Sequence, residues 1–141
     1  MQENRHVNYR GIDLFVGWEN GSGVAVSELP AKAGVYAEIY WPERGVRIGE
    51  TGRSIRGKIR HDIRWFTSMM DGSAPPEQLR RTLPIAEAAK ATGAQGFEFF
   101  VVSDNPLLAE KNLRQECERF LFRWLATAQG WVNWNRQVSW R

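Results

Sequence analysis

The chain has 141 residues, 43% of them hydrophobic, and a formal net charge of +3, a composition that supports one packed core and excludes a disordered chain. No apolar run approaches the roughly 18–20 residues that span a bilayer. The single cysteine, Cys117, excludes an internal disulfide framework and a multi-cysteine zinc site. The polar start, Met1 to His6, lacks the apolar run of a signal peptide, so a cytoplasmic location without a membrane partner is expected.

Residues 1–10 are polar and read as loosely docked. Ile12 to Trp18 suits a strand, closed by the turn-rich Glu19-Asn20-Gly21-Ser22-Gly23. Residues 1–33 are expected to form an N-terminal extension packed on a single domain spanning 34–141. Two short apolar runs, near 34–41 and 45–49, flank a polar corner and read as a β-hairpin. A helix follows from about Ser54 to Phe66, with Ser54 as its N-cap. Ile55, Ile59, Ile63 and Phe66 give it an amphipathic stripe. Residues 67–77 read as loop, and Glu77 to Lys90 as one or two helices interrupted at Pro84. Phe97 to Val102 is a strand by its aromatic and β-branched content. Leu107 to about Ala126 reads as a long helix with Leu113, Cys117, Phe120, Leu121 and Trp124 buried. The tail from Trp131 is a short strand or an ordered coil. This order predicts a small α+β domain, an antiparallel three-stranded sheet flanked by helices.

Charge is unevenly spread. From Arg44 to Arg64 there are seven basic residues (Arg44, Arg47, Arg53, Arg56, Lys58, Arg60 and Arg64) against Glu50 and Asp62. Such a segment suits a polyanion, nucleic acid above all, or else a solvated helix face. Arg56, Arg60 and Arg64 recur at i, i+4 and i+8 and share one face. With Arg53 they are candidate contacts to a nucleic-acid backbone. Gly57, inside the same helix, suits either local packing or the close approach of a phosphate.

The tripeptide Gly34-Val35-Tyr36, followed by Arg47-Ile48-Gly49 with Arg47 eleven residues after Tyr36, resembles the GIY-YIG nuclease family. The resemblance runs from about Gly34 to Asn133. Ile55-Arg56-Gly57-Lys58-Ile59 is similar to the family's first-helix pattern, with Lys58 in the arginine slot. Asp62 stands where a histidine is frequent, with His61 beside it. Glu118-Arg119-Phe120-Leu121-Phe122 matches the context of the family's metal-binding glutamate, and Val132-Asn133 that of its structural asparagine. Arg47 stands in place of the second motif tyrosine.

The resemblance implies a Mg²⁺- or Mn²⁺-dependent endonuclease acting on DNA, with RNA as the other candidate substrate. Glu118 would hold the metal; Glu116 is the other acid, about 200° away around the helix. Tyr36 would activate or position water, a task for which its phenol, ordinarily near pKa 10, needs neighbouring positive charge. Arg47 is placed to supply that charge, or else to clamp a phosphate oxygen. Lys58 would neutralise the transition state, and His61 is a candidate proton shuttle. Gly49 and Asn133 would be structural. Two other functions remain open at this stage. One is a catalytically impaired nucleic-acid-binding module on the same fold, following from the changes at 47, 58 and 62. The other is a protein-interaction domain using the tail tryptophans.

Overall fold

The computed structural model describes residues 5–41, 44–71, 98–128 and 130–133. The helix expected between Glu77 and Lys90, the loop residues 72–76, the first four residues and the tail beyond 133 lie outside them. In chain order the elements are β1 (His6–Tyr9), β2 (Ile12–Phe15), β3 (Gly34–Tyr40), β4 (Gly45–Thr51), α1 (Ile55–Asp71), β5 (Glu98–Ser103), α2 (Lys111–Thr127) and β6 (Val132–Asn133). Short 3-10 turns lie at Val26–Glu28 and Pro106–Ala109. The α+β class is as expected from the sequence. No helix among the described residues is long and apolar enough to cross a membrane.

The main sheet has four strands, in the order β5-β3-β4-β6, rather than three. Strand β3 pairs antiparallel with β4 and with β5. The addition is β6, which runs parallel to β4 and pairs, among the described residues, through Gly45↔Val132 and Val46↔Asn133. It is anchored where the Val132 amide donates to the Arg44 carbonyl at 2.9 Å. Two residues are too few for a periodicity signal, so this strand is not separable from coil in the sequence.

The start of the chain is also more ordered than its polarity suggests. β1 and β2 form a separate hairpin, with Val7↔Leu14 and Tyr9↔Ile12 among its pairs. Its two-residue turn is Arg10-Gly11, both at positive φ (52° and 87°), the geometry that matches strand twist. Asn8 Oδ1 accepts from the Gly11 amide at 3.1 Å and completes the turn.

Alternation along β3 sorts the core into two layers. Val35, Ala37 and Ile39 face α2, together with Val46, Ile48, Phe100 and Val102, and this layer takes in Ile12 and Leu14 of β2. Tyr36 faces the other way and packs with Leu29, Ile55 and Ile59 under α1. With helices on both faces, all seven residues of β3 are buried.

The helices start where side-chain caps place them. Ser54 Oγ accepts from the Gly57 amide at 3.0 Å, as expected, and α1 runs on to Asp71 instead of ending at Phe66. The second helix begins at Lys111, not Leu107. Asn105 caps a separate turn over 106–109, and Glu110 then accepts from the amides of Asn112 and Leu113. The buried face of α2 is Arg114, Cys117, Glu118, Leu121, Phe122 and Leu125. It is rotated by about one residue from the expected stripe. Phe120 and Trp124 are half-buried and meet aromatics of the N-terminal segment, Tyr9 at 4.9 Å and Trp18 at 6.0 Å between ring centroids. That rotation turns Glu118 towards the sheet.

Candidate functional site

Three elements deliver one buried charged cluster beneath α1. Tyr36 and Glu38, two apart on β3, share a face. Glu38 is directly opposite Arg47 on β4, and Tyr36 opposite Gly49. Asp62 comes down from α1, one turn after Lys58. The Arg47 guanidinium is the hub: its Nη1 donates to Glu38 Oε1 at 3.1 Å and lies 3.5 Å from Asp62 Oδ2. The Tyr36 hydroxyl donates to Asp62 Oδ2 at 3.4 Å. The other Asp62 oxygen is 3.5 Å from both Lys58 Nζ and His61 Nδ1. Lys58 and His61 reach solvent, whereas Tyr36 is only 1% exposed. Gly49 is required here because a Cβ at that position would lie 2.3 Å from Tyr36 Cζ and Oη. The phenol fills the space a side chain would take.

Burial and charge set the protonation of this cluster. Burial pushes the Glu38 carboxyl well above its ordinary range, and the neighbouring Asp62 reinforces the effect. Burial also opposes the Asp62 charge. The neighbouring Glu38 carboxyl and the positive charges of Arg47 and Lys58 prevail and hold Asp62 below the usual value. Arg47 stays cationic because Glu38, Tyr36 and Asp62 outweigh its desolvation. The Tyr36 phenol is moved upward, first by burial and then by Glu38 and Asp62, against a smaller opposing effect of Arg47. Arg47 thus does not supply the activation of Tyr36 expected from the sequence. Two carboxyls beside it, unanticipated in that role, cancel its influence.

Glu118 lies across the sheet from Tyr36. It is on the buried face of α2, the helix whose Cys117, Leu121 and Phe122 pack in the layer that holds Ile48, and it is 4% exposed. Its Oε1 has no hydrogen-bond partner among the described residues. Burial, followed by the negative charge of Glu50, raises its carboxyl to about 7, with Arg47 acting in the opposite direction. Glu50 itself receives the Arg114 Nε hydrogen bond, and Arg114 precedes Glu118 by one turn on the same buried face. The Arg47 charge acts on both Tyr36 and Glu118.

Glu118 fits a hard dication through its unpartnered buried oxygen and through the cost of holding its own charge there. No group of three or more His, Cys, Asp or Glu among the described residues would hold a metal unaided. Glu116, the other acid considered, is engaged elsewhere. It accepts from Tyr9 Oη at 3.1 Å and from Arg10 Nη1 at 2.8 Å, tying the N-terminal hairpin to α2.

The row of arginines on α1 divides. Arg60 and Arg64 are exposed, as is Arg53 in the preceding loop, and none has an acidic partner among the described residues. Arg56 is half-buried and donates through Nε to the Leu29 carbonyl at 2.8 Å, so it anchors the helix to the segment before β3. Gly57 is open: its nearest neighbour would be Ser54 at 3.5 Å, and neither crowding nor backbone geometry demands a glycine there. Asn133 is the second residue of β6, beside Val46. Glu38 escapes a sequence reading because a glutamate in an apolar strand gives no local signal. Its position directly across from Arg47 is the usable clue.

These features define a small α+β domain with a mixed-charge cluster on one face of its sheet and a lone buried carboxyl on the other. Comparison with protein-family models, with curated proteins and with solved structures yields no match for the chain.

Proposed function

We propose that this protein is a divalent-metal-dependent endonuclease that hydrolyses DNA phosphodiester bonds on a GIY-YIG-like scaffold, with the phosphate received at the Arg47 and Lys58 cluster. The supporting observation is the position of Arg47, held by Glu38 and Asp62 beside Lys58, which reaches solvent. Arg47 pairs with a phosphate oxygen, for which a rigid guanidinium is suited. Lys58, half-buried on α1 with its side chain reaching solvent, adds a second positive charge at the same phosphate. Tyr36 remains protonated at neutral pH and orients the Asp62 carboxylate as a hydrogen-bond donor. His61 gives the cluster a titratable group open to solvent. Glu118 holds the Mg²⁺ or Mn²⁺, which when bound supplies Lewis-acid polarisation and a more acidic water. The exposed Arg53, Arg60 and Arg64 track the backbone of the duplex.

A second reading has its own observation. Arg47 and Lys58 are already opposed by acidic groups, and the Tyr36 phenol is moved away from the range of a general base. That arrangement suits a domain that binds nucleic acid without cutting it.

Incubation of supercoiled plasmid with Mg²⁺ or Mn²⁺ separates the two. The endonuclease reading expects nicked and linear products from the wild type and none from Glu118→Ala at equal DNA binding. Salt-dependent binding with no cleavage under any divalent cation selects the binding module. Absence of binding even at low salt removes both.

A further inference from the structure

We propose that Asp62 is a positioning residue that restrains the two cations of the phosphate site, Arg47 and Lys58, at the expense of ground-state affinity for the phosphate. The inference rests on the phosphate site proposed above and extends it. Asp62 reaches every charged side chain of the cluster. Its Oδ2 faces the Arg47 guanidinium at 3.5 Å and the Tyr36 hydroxyl at 3.4 Å. Its Oδ1 faces Lys58 Nζ and His61 Nδ1, each at 3.5 Å. On the side of β3, Glu38 holds the same Arg47 guanidinium, accepting from its Nη1 at 3.1 Å. It is 7% exposed, so solvent screens these interactions little.

A lysine side chain has many rotamers and a guanidinium on a strand has several, and fixing either costs conformational freedom. A buried carboxylate between them removes that freedom before substrate arrives. Pre-set geometry is worth rate, since displacement of a reacting group by about 1 Å costs on the order of a hundredfold. The same carboxylate is a competing anion. A phosphate approaching Arg47 and Lys58 meets two cations that are already partly neutralised, and its binding is weaker than for free ones. Asp62 therefore acts on binding and on turnover with opposite signs.

The test is Asp62→Asn, which keeps the shape and an acceptor for Tyr36 but removes the charge. Affinity for a short DNA duplex is measured at fixed salt without divalent metal, and single-turnover cleavage of the same duplex with Mg²⁺. The expected result is affinity tighter by about three- to tenfold, once a nearby opposing charge is removed, together with cleavage slower by about ten- to a hundredfold. Asp62→Glu retains the charge and is expected to leave the affinity near wild type. Weaker binding together with slower cleavage in Asp62→Asn, with far-ultraviolet circular dichroism unchanged, means a merely structural role and overturns the proposal. Unchanged cleavage, or unchanged affinity, overturns it as well. If the wild type cleaves nothing, the endonuclease reading fails, and the affinity measurement still decides whether Asp62 restrains the cations.

Discussion

Replacing Glu118 by glutamine should change the pH dependence of stability more than stability itself. The carboxyl titrates near 7 in the folded protein against an ordinary 4.5, chiefly through burial and the charge of Glu50. A folded-state value raised in this way favours the protonated native form. Its contribution is fully present below about pH 4.5 and is lost as pH rises through about 7. At about 1.36 kcal/mol per tenfold change in proton affinity, the displacement from 4.5 to about 7 is worth on the order of 3 kcal/mol. Between about pH 5 and pH 8, the wild type should lose roughly 2–3 kcal/mol relative to Glu118→Gln. Other titrating groups, Glu38 and Asp62 included, are common to both proteins and cancel in the difference. Urea unfolding of the two proteins across this range, followed by tryptophan fluorescence, measures it. Millimolar Mg²⁺ at about pH 8 should restore stability to the wild type alone, by about 2.7 kcal/mol at a hundredfold excess over the dissociation constant. Parallel pH curves for the two proteins would refute the reasoning, because a carboxyl that titrates normally is not held in a dry site.

Further outcomes follow from the same geometry. Gly49→Ala places a methyl against the Tyr36 ring and should destabilise the fold by about 1–3 kcal/mol through overpacking; a Tyr36→Phe background that recovers part of the loss would locate the clash at the hydroxyl. Arg114→Met leaves Glu50 without its buried partner and should cost about 3–5 kcal/mol; a loss below about 1 kcal/mol in denaturant unfolding would contradict a tightly held pair. Joint reversal of Arg60 and Arg64 to glutamate should weaken duplex binding and flatten its salt dependence by about 0.9 in log–log slope for each phosphate no longer neutralised. An unaltered slope in a salt titration would remove these two residues from the interface.

What could be read from the sequence followed the strength of the local pattern. The hairpin of 34–40 and 45–51, the basic helix and the strand at 98–103 carry period-2 or helical signals over six residues or more, and they stand where expected. β1 and β6 have too few residues to signal, and the tertiary pairing that creates β6 is nonlocal. The inward orientation of Glu118 depends on a rotation of about one residue in α2, set by aromatic contacts with Tyr9 and Trp18 more than a hundred residues earlier. The sequence marks Tyr36, Arg47, Lys58 and Glu118 as a group; the first three meet around Asp62, whereas Glu118 comes from α2 on the other face of the sheet. It does not reveal that Glu38 and Asp62 reverse the expected effect on the phenol, because the sign of that effect follows from burial and not from spacing.

The central claim is that the Tyr36 cluster and Glu118, on opposite faces of the sheet, act on one phosphate through Arg47. A double-mutant cycle on single-turnover DNA cleavage, with Tyr36→Phe, Glu118→Gln and their combination, tests it most directly. The account expects strong non-additivity, with the double variant about as slow as the slower single one. Independent, multiplying losses, or full activity of Tyr36→Phe, would contradict it.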